Sequence, residues 1–163
     1  MISNHRRQYS NHISKTTEKL FVSACEQFGY CCEKTNEDID IHQHIDYFIK
    51  RPNGTQTSVD VKGGNHPDVI WVEFKNVLGE KGWMYGEAEK IAFDMPEING
   101  FILVDRIELL KYCKQTIQPI FVSKLEATRK LYQRENRKDV ISRLTIEDLK
   151  TLKSYKVINY ANT

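Results

Sequence analysis

Two aspartates and a lysine, Asp46, Asp60 and Lys62, are the residues whose types and spacing most constrain a chemistry. They lie in two β-like runs, Ile45 to Lys50 and Thr55 to Lys62, on either side of Arg51-Pro52-Asn53-Gly54. Proline suits the first central position of a type I turn, asparagine the second, and glycine the left-handed position that follows. Together they make a three-residue hairpin loop closed by a bulge. Counting back from an Arg51–Thr55 pair sets Asp46 opposite Asp60 and His44 opposite Lys62. Facing residues on one side of a sheet have Cβ atoms roughly 4.5–5.5 Å apart. Carboxylates that close repel, and a divalent cation with hard oxygen ligands is the natural partner to hold them. Lys62, two residues beyond Asp60, points to the same face. The plain alternative is a solvated edge hairpin with incidental charges.

Such a hairpin needs elements to hold it. Residues 15–28 read as a helix with Leu20, Phe21, Ala24, Cys25 and Phe28 on one stripe, ended by Gly29. Tyr30–Lys34 is a short strand and 35–43 a polar, acidic connection. Val69–Lys75 is another strand. Ala88–Phe93 reads equally as helix or strand. Gly100–Val104 is a buried strand and Ile107–Cys113 a short helix. Residues 1–13 read as a loose basic arm. The order of elements predicts an α/β fold with a mixed central β-sheet flanked by helices. At 163 residues the chain reads as one domain, able to bury about 70% of its unfolded surface.

Glu18 is the third carboxylate. It borders the helix's apolar stripe, three residues before Phe21 and seven before Cys25, where an acid is expensive without a partner. Its plain alternative is an acid reaching water from the edge of the stripe. Carboxylates and a lysine around a metal suit phosphodiester hydrolysis. The metal polarises a phosphate oxygen and lowers the pKa of a bound water, while lysine orients the attacking water or balances developing charge.

Glu18, Gly29-Tyr30, Asp46 and Asp60-Val61-Lys62 together resemble the PD-(D/E)XK nuclease superfamily, most closely archaeal-type Holliday junction resolvases and small phage-encoded relatives. The resemblance covers about residues 15–105. Ile45 stands where the family name has proline, and Asp60 replaces the commoner glutamate. It implies a restriction-endonuclease-like core over about residues 15–115, with a basic C-terminal extension, 116–163, outside it. It further implies Mg²⁺, with Mn²⁺ able to substitute, held by Glu18, Asp46 and Asp60, with Lys62 assisting catalysis. The substrate it implies is DNA, branched or otherwise structured, and the assembly a homodimer. A rival motif in the same family is Glu73-Phe74-Lys75 with Asp60 upstream, but it leaves Tyr30–Lys34 without a place.

Arg134, Arg137 and Lys138 are candidate contacts to the phosphate backbone, within the basic stretch Lys124–Arg143. The alternative there is a solvated helix face. Trp83 and Tyr85, between glycines, either stack on a base or anchor the core. Adjacent Cys31 and Cys32 with His42 and His44 fit zinc spacing poorly, and the four cysteines read as small, reduced hydrophobes. No P-loop or nucleophile elbow is present, which argues against a nucleotide cofactor and a serine hydrolase. A net charge of +2 does not by itself select a partner. The absence of a signal-peptide pattern and of an apolar run near ~20 residues predicts a cytoplasmic protein without a membrane span.

Overall fold

The hairpin forms around Pro52-Asn53-Gly54. The Arg51 amide donates to the Thr55 carbonyl and the Gly54 amide to the Arg51 carbonyl, both at 2.9 Å. Gly54 takes φ 83°, the left-handed conformation the turn requires. The Asn53 side chain clamps the turn by accepting from the Thr55 amide (3.0 Å) and hydroxyl (2.7 Å). The strands then pair Lys50 with Gln56, Ile49 with Thr57, Phe48 with Ser58 and Tyr47 with Val59, the expected register.

The computed structural model describes residues 4–162, with side chains from residue 15. The chain runs through α1 (Asn4–Glu26), β1 (Cys31–Lys34), α2 (Glu37–Gln43), β2 (Tyr47–Lys50), β3 (Gln56–Lys62) and β4 (Ile70–Lys75). A single 3₁₀ turn, Trp83–Tyr85, leads into β5 (Lys90–Met95), β6 (Gly100–Asp105) and α3 (Arg106–Thr116). The rest of the chain supplies β7 (Gln118–Phe121), β8 (Lys130–Tyr132), β9 (Val140–Leu144), α4 (Ile146–Lys150) and β10 (Lys156–Asn159). The fold is mixed α/β.

The main sheet has the order β1-β2-β3-β5-β6-β10, antiparallel except for the parallel β3–β5 pair. Side-chain alternation divides its two faces between two cores. On one, Phe21, Ala24 and Cys25 of α1 pack on Tyr47, Ile49, Val59, Ala92, Phe101, Leu103 and Ile158. On the other, Ile91, Phe93, Met95, Ile102 and Val104 meet Leu109 and Cys113 of α3. A second sheet, β4-β9-β8-β7, closes that side with Ile70, Val72 and Leu144.

Several expectations are corrected. Residues 4–13 continue α1 rather than forming a loose arm, and Leu20 and Phe28 of the expected stripe are exposed. Residues 37–43 are a helix, not a connection. Asn36 caps α2 by accepting from the Ile39 amide at 2.9 Å, and Glu37 and Asp38 sit at its positive end. The ambiguous Ala88–Phe93 segment lies largely in a strand, β5. The chain after α3, expected as an extension outside the core, supplies strands to both sheets: β9 pairs with β4, and β10 forms the edge of the main sheet beside β6. No helix of the described residues is long and apolar enough to cross a membrane.

Candidate functional site

β3 turns Val59 and Val61 toward α1, so Asp60 and Lys62 point to the opposite face. Asp60 is only 2% exposed. Its Oδ1 lies 2.8 Å from Lys62 Nζ. Its Oδ2 is buried with no hydrogen-bond partner among the described residues. Burial, foremost, raises the Asp60 carboxyl to about 7; the Lys62 charge opposes this and the Asp46 charge adds to it. Burial alone would lower the Lys62 ammonium, but Asp60, then Asp46 and Glu73, outweigh it and shift Lys62 upward.

Asp46 reaches Asp60 by a route the turn did not disclose. Its amide donates to the Val59 carbonyl at 2.9 Å, although Val59 is already the partner of Tyr47. Asp46 therefore binds Val59 rather than Asp60, and regular pairing stops there. The ladder ends one residue short of the expected Asp46–Asp60 pair. The Asp46 carboxylate turns along the seam between the strands, where Oδ2 accepts the Val61 amide at 2.7 Å. His44, expected opposite Lys62, ends α2 in a left-handed conformation; burial first, and then the Lys62 charge, lower its pKa.

Glu18 is not joined to the Asp46–Asp60 pair. Its Oε2 accepts from Lys34 Nζ at 2.6 Å and from the Tyr47 hydroxyl at 3.1 Å. Its nearest link to the pair is Tyr47, whose phenol is pushed up by burial, then by Glu18 and, more weakly, by Asp46. The expected third position is approached instead by Asp40 of α2. Burial and the Asp46 charge raise the Asp40 carboxyl, with Lys34 opposing. Among the described residues no group of three or more His, Cys, Asp or Glu is arranged to hold a metal ion. With Glu18 engaged elsewhere, the carboxylates that could meet a cation are Asp46 and Asp60, with Asp40 behind Asp46, and water and phosphate oxygens would complete its shell, the manner in which Mg²⁺ is usually held. The partnerless Oδ2 of Asp60 fits that role.

On the far side of Lys62 stands Trp83, its ring centroid 5.2 Å from Nζ. Glu73 of β4 lies beside it. Burial raises its carboxyl, while Lys62, the Trp83 amide and Arg134 oppose. Glu73 therefore borders the site, as the rival motif suggested, but Lys75 is exposed and the β4–β9 register shifts between the two. Of the expected phosphate contacts, Arg134 is engaged internally: its guanidinium and its amide both bind Asp139, which is fully buried. Arg137 and Lys138 follow in the β8–β9 loop, where Lys138 donates its amide to the Val77 carbonyl. Asp40 and Trp83 were the residues missed as site neighbours. The Asn36 cap with acids behind it was the signal for α2, and hence for Asp40.

Compared with known proteins, the chain matches no family model, no curated protein and no solved structure.

Proposed function

We propose that this protein is a Mg²⁺-dependent DNA endonuclease, with Mn²⁺ able to replace Mg²⁺. One observation carries the reading: a buried carboxylate oxygen, Asp60 Oδ2, without a hydrogen-bond partner among the described residues, beside a second carboxylate and a lysine. An oxygen left so is costly unless a cation or proton occupies it. Asp46 and Asp60 would hold the cation, which supplies polarisation of a phosphate oxygen and a more acidic bound water. Lys62, anchored on Asp60 Oδ1, keeps donors free to orient the attacking water or to meet charge growing on the phosphate. Glu18 supports the site through Tyr47 rather than as a ligand in the described arrangement.

The finer parts of this proposal are a restriction-endonuclease-like core, action on branched or structured DNA in the cytoplasm, and a homodimer presenting one site to each strand. A second reading, a non-cleaving nucleic-acid or protein binding module, is favoured by one observation: Glu18, the expected third ligand, is taken up by Lys34 and Tyr47.

Incubation with linear, nicked, flapped and four-way DNA, with Mg²⁺, Mn²⁺ or EDTA, separates the two. Metal-dependent strand scission, lost with EDTA and absent in Asp60→Asn, is the expected result. Binding without scission in either metal selects the second reading.

A further inference from the structure

The second sheet carries a side-chain platform on the face away from the core. Glu73 pairs with Ile141 across β4–β9, and Ile141 with Tyr132 across β8–β9, so the three form one row. Trp71, two residues before Glu73, shares that face, and its ring centroid lies 6.0 Å from that of Tyr132. Trp83, a largely buried core residue packed edge-to-face on Phe93, reaches the remaining side of the cavity. Gly82 permits this: a Cβ there would meet the Glu73 carbonyl at 2.6 Å, so only glycine lets the Trp83 turn press this closely on β4. The result is a cavity of about 350 Å³ with Trp71, Trp83 and Tyr132 as walls and Glu73, Arg134 and Lys124 as its charged groups. Its volume is at the lower end for small-molecule sites.

We propose that this cavity holds one unpaired nucleobase of the DNA substrate, guanine by preference, next to the phosphodiester at Lys62. The inference rests on the nuclease reading for its substrate, since Trp83 is shared: one face of the ring meets Lys62 and the residue also lines the cavity. Three aromatic rings around one space match a flat base, which stacks on such side chains whatever its sequence. The polar groups then select. Glu73 presents acceptors, and guanine is the base whose Watson–Crick edge offers two adjacent donors, N1–H and the N2 amine. Arg134, held in place by Asp139, can donate to the guanine O6. A base inside a duplex cannot reach such a cavity, so the substrate must present it unstacked, at a branch, a flap or by extrusion.

The test uses the full chain in EDTA, so that no cleavage intervenes. A short single strand bearing 2-aminopurine is titrated with the protein. Fluorescence is expected to fall as the probe stacks, and dGMP is expected to reverse the fall at lower concentration than dAMP, dCMP or dTMP. Tyr132→Ala should raise Kd roughly tenfold, the scale of one lost base stack, while Tyr132→Phe, which keeps the ring, should bind as the parent does. Glu73→Gln should keep the stacking and lose the preference for dGMP. Unquenched probe, or equal affinity in Tyr132→Ala, overturns the cavity assignment. Equal competition by the four nucleotides overturns the choice of guanine. Metal-dependent scission without probe stacking removes this inference and leaves the nuclease reading, whereas stacking without scission in any metal removes the nuclease reading and leaves a base-binding protein.

Discussion

The carboxylate of Asp46 accepts the amide of Val61 at 2.7 Å, across the seam where the ladder between their strands breaks. One side chain thus serves two ends: it completes the hydrogen bonding of an interrupted sheet and it brings negative charge to Asp60. These two contributions oppose each other in the metal-free protein, and different substitutions separate them.

Asp46→Asn keeps an acceptor for Val61 and removes the charge. Asp46→Ala removes both. The first should melt higher than the parent in EDTA. The second should melt lower than Asp46→Asn by an amount equivalent to roughly 1–3 kcal/mol, the cost of a buried amide left unpaired. Equal melting temperatures for the two variants would show that the Val61 contact contributes nothing.

Divalent metal should stabilise the parent. Binding confined to the folded state adds RT ln(1 + [L]/Kd), about 2.7 kcal/mol when the ion stands at a hundredfold excess over Kd. Mg²⁺ and Mn²⁺ should therefore raise the melting temperature, and do so less in Asp46→Asn and Asp60→Asn. A melting curve indifferent to both ions would mean that the carboxylate pair does not hold a cation before DNA arrives.

Stability of the metal-free protein should fall as pH rises from about 4 to about 7. Asp60 titrates near 3.8 unfolded and near 7 folded, so across that interval the folded chain binds the extra proton. Stability is then lost with rising pH, and the loss is complete above the folded value. Asp60→Asn should flatten this segment, as should saturating Mg²⁺, which replaces the proton. A denaturation midpoint whose pH slope between 4 and 7 is the same in the parent and in Asp60→Asn would refute it.

In the nuclease assay, Asp60→Asn and Lys62→Ala should each abolish scission while DNA affinity changes little. Lys62→Met, which keeps an unbranched chain beside Trp83 without the charge, guards against an effect of lost packing. Should Glu73→Gln alone abolish scission, the metal site belongs to the β4 motif rather than to β3.

The three basic residues of the β8–β9 loop should not behave alike. Arg134→Ala strips a buried aspartate of its charged partner, leaving it the backbone amide, and should destabilise the fold by on the order of 2 kcal/mol, less than a fully buried pair because the arginine is partly exposed. Arg137→Ala with Lys138→Ala should leave melting unchanged. If they touch phosphates, each lowers the log–log salt slope of duplex binding by roughly 0.9. An unaltered slope places the DNA path elsewhere.

How much of this was legible in the chain follows from what is local. Pro52-Asn53-Gly54 is a self-contained turn, so the register of β2 and β3 could be counted from it. The break in the ladder at Asp46 could not, because Asp46 gives no turn signal and its offset depends on a carboxylate finding a backbone amide across the strands. Residues 88–93 stayed ambiguous because Ile91, Ala92, Phe93, Asp94 and Met95 of β5 are buried on both faces, which erases the alternation that marks a strand. The basic tail misled most. Its strands are three to five residues long and exist because β4 and β6, far back in the chain, offer them edges. Glu18 was placed correctly at the border of the helix's apolar face, but nothing in its own neighbourhood showed that Lys34 would claim it.

The position of β10 has a bearing on synthesis. The hairpin carrying Asp46, Asp60 and Lys62 can close soon after it leaves the ribosome, since its contacts are local. The β6 edge that residues 156–159 cover stays bare until that strand emerges, and buried Asp94 has to wait as long for the hydroxyl of Tyr160. Completion of this edge of the main sheet therefore waits for β10, and nascent chains stopped before Lys156 carry an open, hydrophobic sheet edge, the type of surface on which chains aggregate. Arrested chains ending before and after β10 should differ sharply in protease resistance, and equal resistance would place the completion of the sheet earlier.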